Sequence, residues 1–133
     1  MKAPTLNKLL HAGEYGNAAV LHALLTLEGD AVATFNVARI PAGTKVCELK
    51  AIIEALGAST TLAFGYAPVD STLGPAANAT YFGTAAATNT ATNREMYFKP
   101  ISFQYDVYLT VTLAGAAGTG DVDLVMGYEF VGK

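Results

Sequence analysis

The chain has 133 residues with 8 Lys and Arg against 11 Asp and Glu, a formal net charge of -3 and one cysteine; its mass is 13.8 kDa and its mean hydropathy +0.33. That length holds one domain with one core. A composition 52% hydrophobic and 14% charged excludes a disordered chain, the scattered cations supply no field for a nucleic acid backbone, and Cys47 with only two histidines excludes an internal disulfide, a cysteine zinc cluster and most histidine-built metal sites.

The expected organisation is an N-terminal arm, residues 1–16, followed by a single β-sandwich domain, residues 17–133. In the arm, Thr5 caps a short helical turn that sets Leu6, Leu9 and Leu10 on one side, and Gly13 ends it. So short a turn is marginal alone, so its leucines need a partner surface; these leucines and Tyr15 are candidate interface residues. Asn7, Lys8 and His11 interrupt those leucines, so they do not read as a signal-peptide apolar region.

Ala18 to Leu27 is the longest apolar stretch, broken by His22 and Thr26 and about half the roughly 20 residues a membrane helix needs. Read as a strand, it sends Leu21, Ala23, Leu25 and Leu27 to a core face and Val20, His22, Leu24 and Thr26 to the other. Glu28-Gly29-Asp30 reads as a tight turn into Ala31 to Ile40, so the two runs are expected to form a hairpin. Pro41-Ala42-Gly43 is the next turn. Thr44 to Leu56 fits two periods: Val46, Leu49, Ile53 and Leu56 at helical spacing, or Cys47, Leu49, Ala51 and Ile53 alternating as a strand. The strand is favoured because both neighbouring segments are β. Thr60 to Tyr66 follows with Leu62, Phe64 and Tyr66 on one face.

Between Ala67 and Arg94 the composition of Ala, Thr, Asn and Gly, with Pro68 and Pro75, predicts long loops. Loops of that length are uncommon unless they act in contact or binding, so the apolar island Tyr81-Phe82 joins the candidate interface, against the alternative of an irregular excursion. Met96 to Ile101 is a short run with Pro100 at an edge or bend. Phe103 to Leu113 then alternates Val107, Leu109, Val111 and Leu113 against polar residues, and Val122 to Phe130 alternates beyond a glycine-rich connector, Gly115 to Gly120. These last two runs are expected to pair as a second hairpin. The whole reads as an all-β, antiparallel β-sandwich, jelly-roll-like, with roughly seven or eight strands.

The residues show no catalytic constellation and imply no cofactor. Strands flank the glycine-rich connector, whereas a phosphate loop needs a following helix. Asp121 and Asp123 supply too few oxygens for calcium, Glu48 and Glu54 lack acid–base spacing, and His22 has no nucleophile placed beside it. Cys47 reads as a small core residue, and Asn78-Ala79-Thr80 matches a glycosylation acceptor that matters only on a secretory route. The low surface charge suits a chain part of whose surface is covered.

Ala55-Leu56-Gly57-Ala58-Ser59-Thr60-Thr61-Leu62, then Thr80-Tyr81-Phe82, then Tyr105-Asp106-Val107-Tyr108-Leu109-Thr110-Val111-Thr112 leading into the glycine-rich loop and Tyr128 resemble a class of small tailed-bacteriophage structural proteins, over roughly Asp30 to Val131. The resemblance implies a head decoration, or cement, protein: no enzyme, bound to the major capsid protein on the outer surface of the virion, self-associated as a homodimer or homotrimer, made in the host cytoplasm, without nucleic acid or membrane partners. A phage tail or fibre component and a carbohydrate-binding β-sandwich are the alternatives.

Overall fold

The structure is a computed structural model that describes residues 18–85, 88 and 91–130, so the arm lies outside the described residues. Among the described residues nine strands follow in chain order: β1 (Ala18–Asp30), β2 (Ala33–Ile40), β3 (Thr44–Ile53), β4 (Thr61–Pro68), β5 (Asn78–Ala85), β6 (Thr92–Met96), β7 (Ile101–Ser102), β8 (Val107–Ala114) and β9 (Gly118–Phe130). They form two antiparallel sheets, β1-β9-β3-β6 with β7 also along β3, and β2-β8-β4-β5. The edge strands β1 and β2 touch each other, as do β5 and β6. Since β6 and β7 run along one neighbour, they act as one interrupted strand, and the order is that of a jelly roll.

Alternation predicts the inward residues well. β8 buries Val107, Leu109, Val111 and Leu113, β4 buries Leu62, Phe64 and Tyr66, and β9 buries Val122, Leu124 and Met126. Ala23 and Leu27 of β1 are buried, on the face expected. Fully burying one such large side chain stabilises the fold by about 1.5–3 kcal/mol, so this shared core holds the two sheets together.

Both expected hairpins are absent. β1 pairs with β9 and β2 with β8, and β8 and β9 lie in different sheets. Each short glycine-bearing link is a corner at which the chain leaves one sheet for the other. At Gly115 the corner admits no side chain: φ is +86°, and a Cβ would lie 2.0 Å from the Ser59 carbonyl oxygen. Turn chemistry marks where the chain bends, but pairing is decided by which arrangement closes both sheets over one core.

Thr44 to Ile53 is a strand, and the two periods of that segment have one cause. Its register against β9 shifts between Val46 and Glu48, a β-bulge that leaves Val46 and Leu49 both buried although three apart. Cys47 sits in this bulge and is exposed, which corrects its expected place in the core. The stretch from Ala67 to Arg94, expected as loops, contains β5 and the start of β6. Their Ala, Asn and Gly residues have little β propensity, and pairing supplies what composition does not: Leu62, Ala63 and Phe64 of β4 lie opposite Ala85, Thr84 and Gly83. Thr88 fastens the chain beyond β5, its hydroxyl 2.6 Å from that of Thr60 and its amide donating to the Thr60 carbonyl. The expected run Met96 to Ile101 instead spans the interruption between β6 and β7, Met96 ending the one and Ile101 opening the other.

Candidate interaction surface

Of the candidate interface residues, Leu6, Leu9, Leu10 and Tyr15 lie outside the described residues. Phe82 is fully buried, which leaves it no surface to offer a partner of the folded chain. It packs edge-to-face on Phe98, Tyr66 and Tyr81, with ring centroids 4.8, 6.3 and 5.5 Å away. Tyr81 is half-buried, and its hydroxyl donates to the Lys99 carbonyl at 2.7 Å. That bond and the Phe98 contact hold residues 97–100 against the body while Tyr97 stands 90% exposed. Between β5 and β6 opens a groove of about 720 Å³, lined by Phe82, Gly83, Arg94, Met96 and Tyr97 among others.

The outward faces of the two sheets have different chemistry. Across the first sheet the registers align Leu24, Asp123, Ile52 and Asn93 in one row and His22, Val125, Lys50 and Glu95 in the next. A hydrogen bond joins the two rows, His22 Nε2 to Asp123 Oδ1 at 3.1 Å, and Lys50 pairs with Glu95 within the second at 4.0 Å. Across the second sheet the rows are Thr34, Thr112, Ala63 and Thr84, then Asn36, Thr110 and Gly65. Arg39 is the only charged residue among the strand residues of this sheet. The Thr34 and Thr112 hydroxyls bond to each other at 3.1 Å.

Backbone, rather than side chain, covers part of this uncharged face. A Cβ on Gly65 would lie 2.0 Å from the Asn78 carbonyl oxygen, because the β4–β5 register shifts between Phe64 and Tyr66 and sets Ala79 over the glycine. Thr110, opposite Gly65, is 2% exposed, and its hydroxyl has no hydrogen-bond partner among the described residues. At one end of the face Asp106 ties β2 to β8, accepting from Arg39 Nε and Nη2 and from the Ala42 amide. Asp106 in turn holds the Arg39 guanidinium above its ordinary pKa, chiefly through that hydrogen bond.

The remaining titratable groups sit at structural stations. Glu54 accepts the Asp121 amide at 2.7 Å and donates its own amide to the Asp121 carbonyl, which lengthens the β3–β9 ladder. Desolvation pushes the Cys47 thiol pKa up, with Glu129 adding in the same direction; such a thiol holds less thiolate than a free one. Among the described residues no three His, Cys, Asp or Glu side chains cluster as a metal site. The uncharged face itself was missed from the sequence, although its signal, three strands without Lys, Arg, Asp or Glu, lay in the residues of β4, β5 and β8.

No protein-family model matches the chain, and comparison with curated proteins finds no match. Solved structures do match. A chain of the cyanophage Pam1 capsid asymmetric unit aligns with a TM-score of 0.67 at 17% identity over 96% of both chains. A chain of the Ralstonia phage GP4 capsid gives 0.67 at 14% identity over 96% of this chain and 92% of that one. A chain of the acid-stable capsid of Helicobacter pylori bacteriophage KHP30 gives 0.65 at 12% identity over 86% and 89%. In fold, the chain is a jelly-roll β-sandwich similar to small proteins of phage capsids.

Proposed function

We propose that the protein is a structural component of a phage virion that binds the outside of the capsid shell and cements it, self-associated as a dimer or trimer. The observation that carries this reading is the whole-length likeness to chains of three phage capsids. The uncharged face of the β2-β8-β4-β5 sheet supports it, since the cores of protein interfaces are depleted of charge. That face is the surface offered to the shell. The arm residues Leu6, Leu9, Leu10 and Tyr15 reach another subunit or the capsid, and Tyr81 with Phe82 beneath it supports the loop that carries Tyr97. Weak contacts of this kind add up when many copies straddle the seams of one shell. The role asks no chemistry of the chain.

Copy number in purified particles tests the reading. Hundreds of copies per particle, with antibody label over the whole head, is the expected result. A handful confined to the tail would make the protein a tail or fibre component, and micromolar binding on a glycan array with none to shells would make it a lectin.

A further inference from the structure

Every open β-sandwich must keep its edge strands from pairing with stray chains, and three of the four edges here are blunted. β2 has a register shift between Asn36 and Ala38 and carries Arg39. β5 departs from its ladder between Asn78 and Gly83. β6 has five residues, including Arg94 and Glu95. β1 has such devices only at its last residues, where the register shifts between Glu28 and Asp30. It runs 13 residues, its register against β9 is unbroken from Ala18 to Glu28, and no proline, lysine, arginine or acid occurs between Ala18 and Leu27. On its outward face Val20 is 66% and Leu24 55% exposed. Among the described residues no strand pairs with its outer edge.

We infer that β1 is the self-association edge: two copies pair antiparallel through β1 about a two-fold axis, joining their first sheets into one. A second copy fits this edge because the segment is its own complement. A two-fold axis brings the same strand back in the opposite direction, and with the axis at His22 the Val20 of each copy lies opposite Leu24 of the other. Val20 and Leu24 then meet across the seam on either side of the two His22 side chains at the axis, where such apolar cross-strand pairs stabilise a sheet, and no carboxylates or lysines face each other. Each His22 keeps its own Asp123, and Glu28 and Asp30 lie beyond the paired segment, which runs from Ala18 to Thr26 in each copy. This inference rests on the self-association proposed above and names its surface.

The test uses the free full-length protein, without shells. Size-exclusion chromatography with light scattering should give twice the 13.8 kDa of one chain. The double variant Val20→Lys, Leu24→Lys, changed at exposed positions, should halve that mass with an unchanged far-ultraviolet spectrum, and lose the slow hydrogen exchange of alternate amides between Val20 and Thr26. Tyr97→Lys, at the opposite edge of the same sheet beyond β6, should remain a dimer. If the double variant fails to fold, the exchange pattern of the wild type decides: fast exchange of those alternate amides overturns the inference. A trimeric wild type, or a folded double variant that stays dimeric, overturns it and leaves self-association standing. A monomeric wild type overturns both, without bearing on shell binding.

Discussion

The two sheets are alike inside and unlike outside. Leu124 and Val122 of the first sheet and Phe64 and Leu109 of the second are equally buried in one core, whereas the outward rows set Asp123, Lys50 and Glu95 among Leu24, Ile52 and Val125 on the first sheet and carry Thr, Ala, Asn and Gly on the second, away from the Arg39–Asp106 pair at its end. An inward face answers to the opposite sheet, which is equally apolar for both. An outward face answers to whatever covers it, and water favours charge where a partner does not. The difference therefore separates residues that make the fold from residues that suit it to its surroundings.

Cutting into the shared core should hurt both sheets alike. Phe64→Ala is expected to cost about 3–5 kcal/mol and Leu124→Ala about 2–5 kcal/mol in urea unfolding; a clear sparing of either would mean that the two faces are not one core. Next in size is Gly65→Ala, where the added Cβ meets the Asn78–Ala79 backbone. It should cost about 1–3 kcal/mol through overpacking, and hydrogen exchange should rise first in β5. Charge placed on the outer faces sharpens the contrast, because stability and binding should part company. Thr34→Glu with Thr84→Glu is expected to leave stability within about 0.5 kcal/mol while weakening binding to stripped shells at least tenfold, about 1.4 kcal/mol. Val125→Glu on the first sheet should leave binding unchanged.

The smallest effect lies in the loop before β5. The Thr72 hydroxyl and amide both donate to Asp70 and hold its carboxyl below the usual aspartate range. A lowered folded pKa gives stability that is present above the unfolded value and lost as the pH falls through the folded one. Asp70→Asn should therefore melt slightly below wild type at pH 7, and the two melting curves should converge in acid.

Much of the inside was legible in the sequence and little of the pairing. Leu21 to Leu27 and Val107 to Leu113 alternate because the strand period is local, so their core faces could be read residue by residue. Strand partners are not local. Glu28-Gly29-Asp30 has the composition of a hairpin turn, yet the chain turns there into the other sheet, a choice made by the closure of the whole sandwich. β5 was missed because Asn78, Ala79, Gly83 and Ala85 interrupt its strand formers Thr80 to Phe82 and Thr84 and its partner β4 is not local, and Cys47 was misplaced because a bulge adds one residue to the alternation. Of the candidate interface, Tyr81 and Phe82 could be found as an apolar island, but their inward packing depends on Phe98, a partner sixteen residues from Phe82.

An electron cryomicroscopy reconstruction of the particle tests the central claim most directly. The expected map shows this jelly roll on the outside of the shell, with the Thr34–Thr112–Ala63–Thr84 face turned to the capsid and the His22–Asp123 face turned away. A chain absent from the head, lying inside it, or seated on the capsid through the charged face would contradict it.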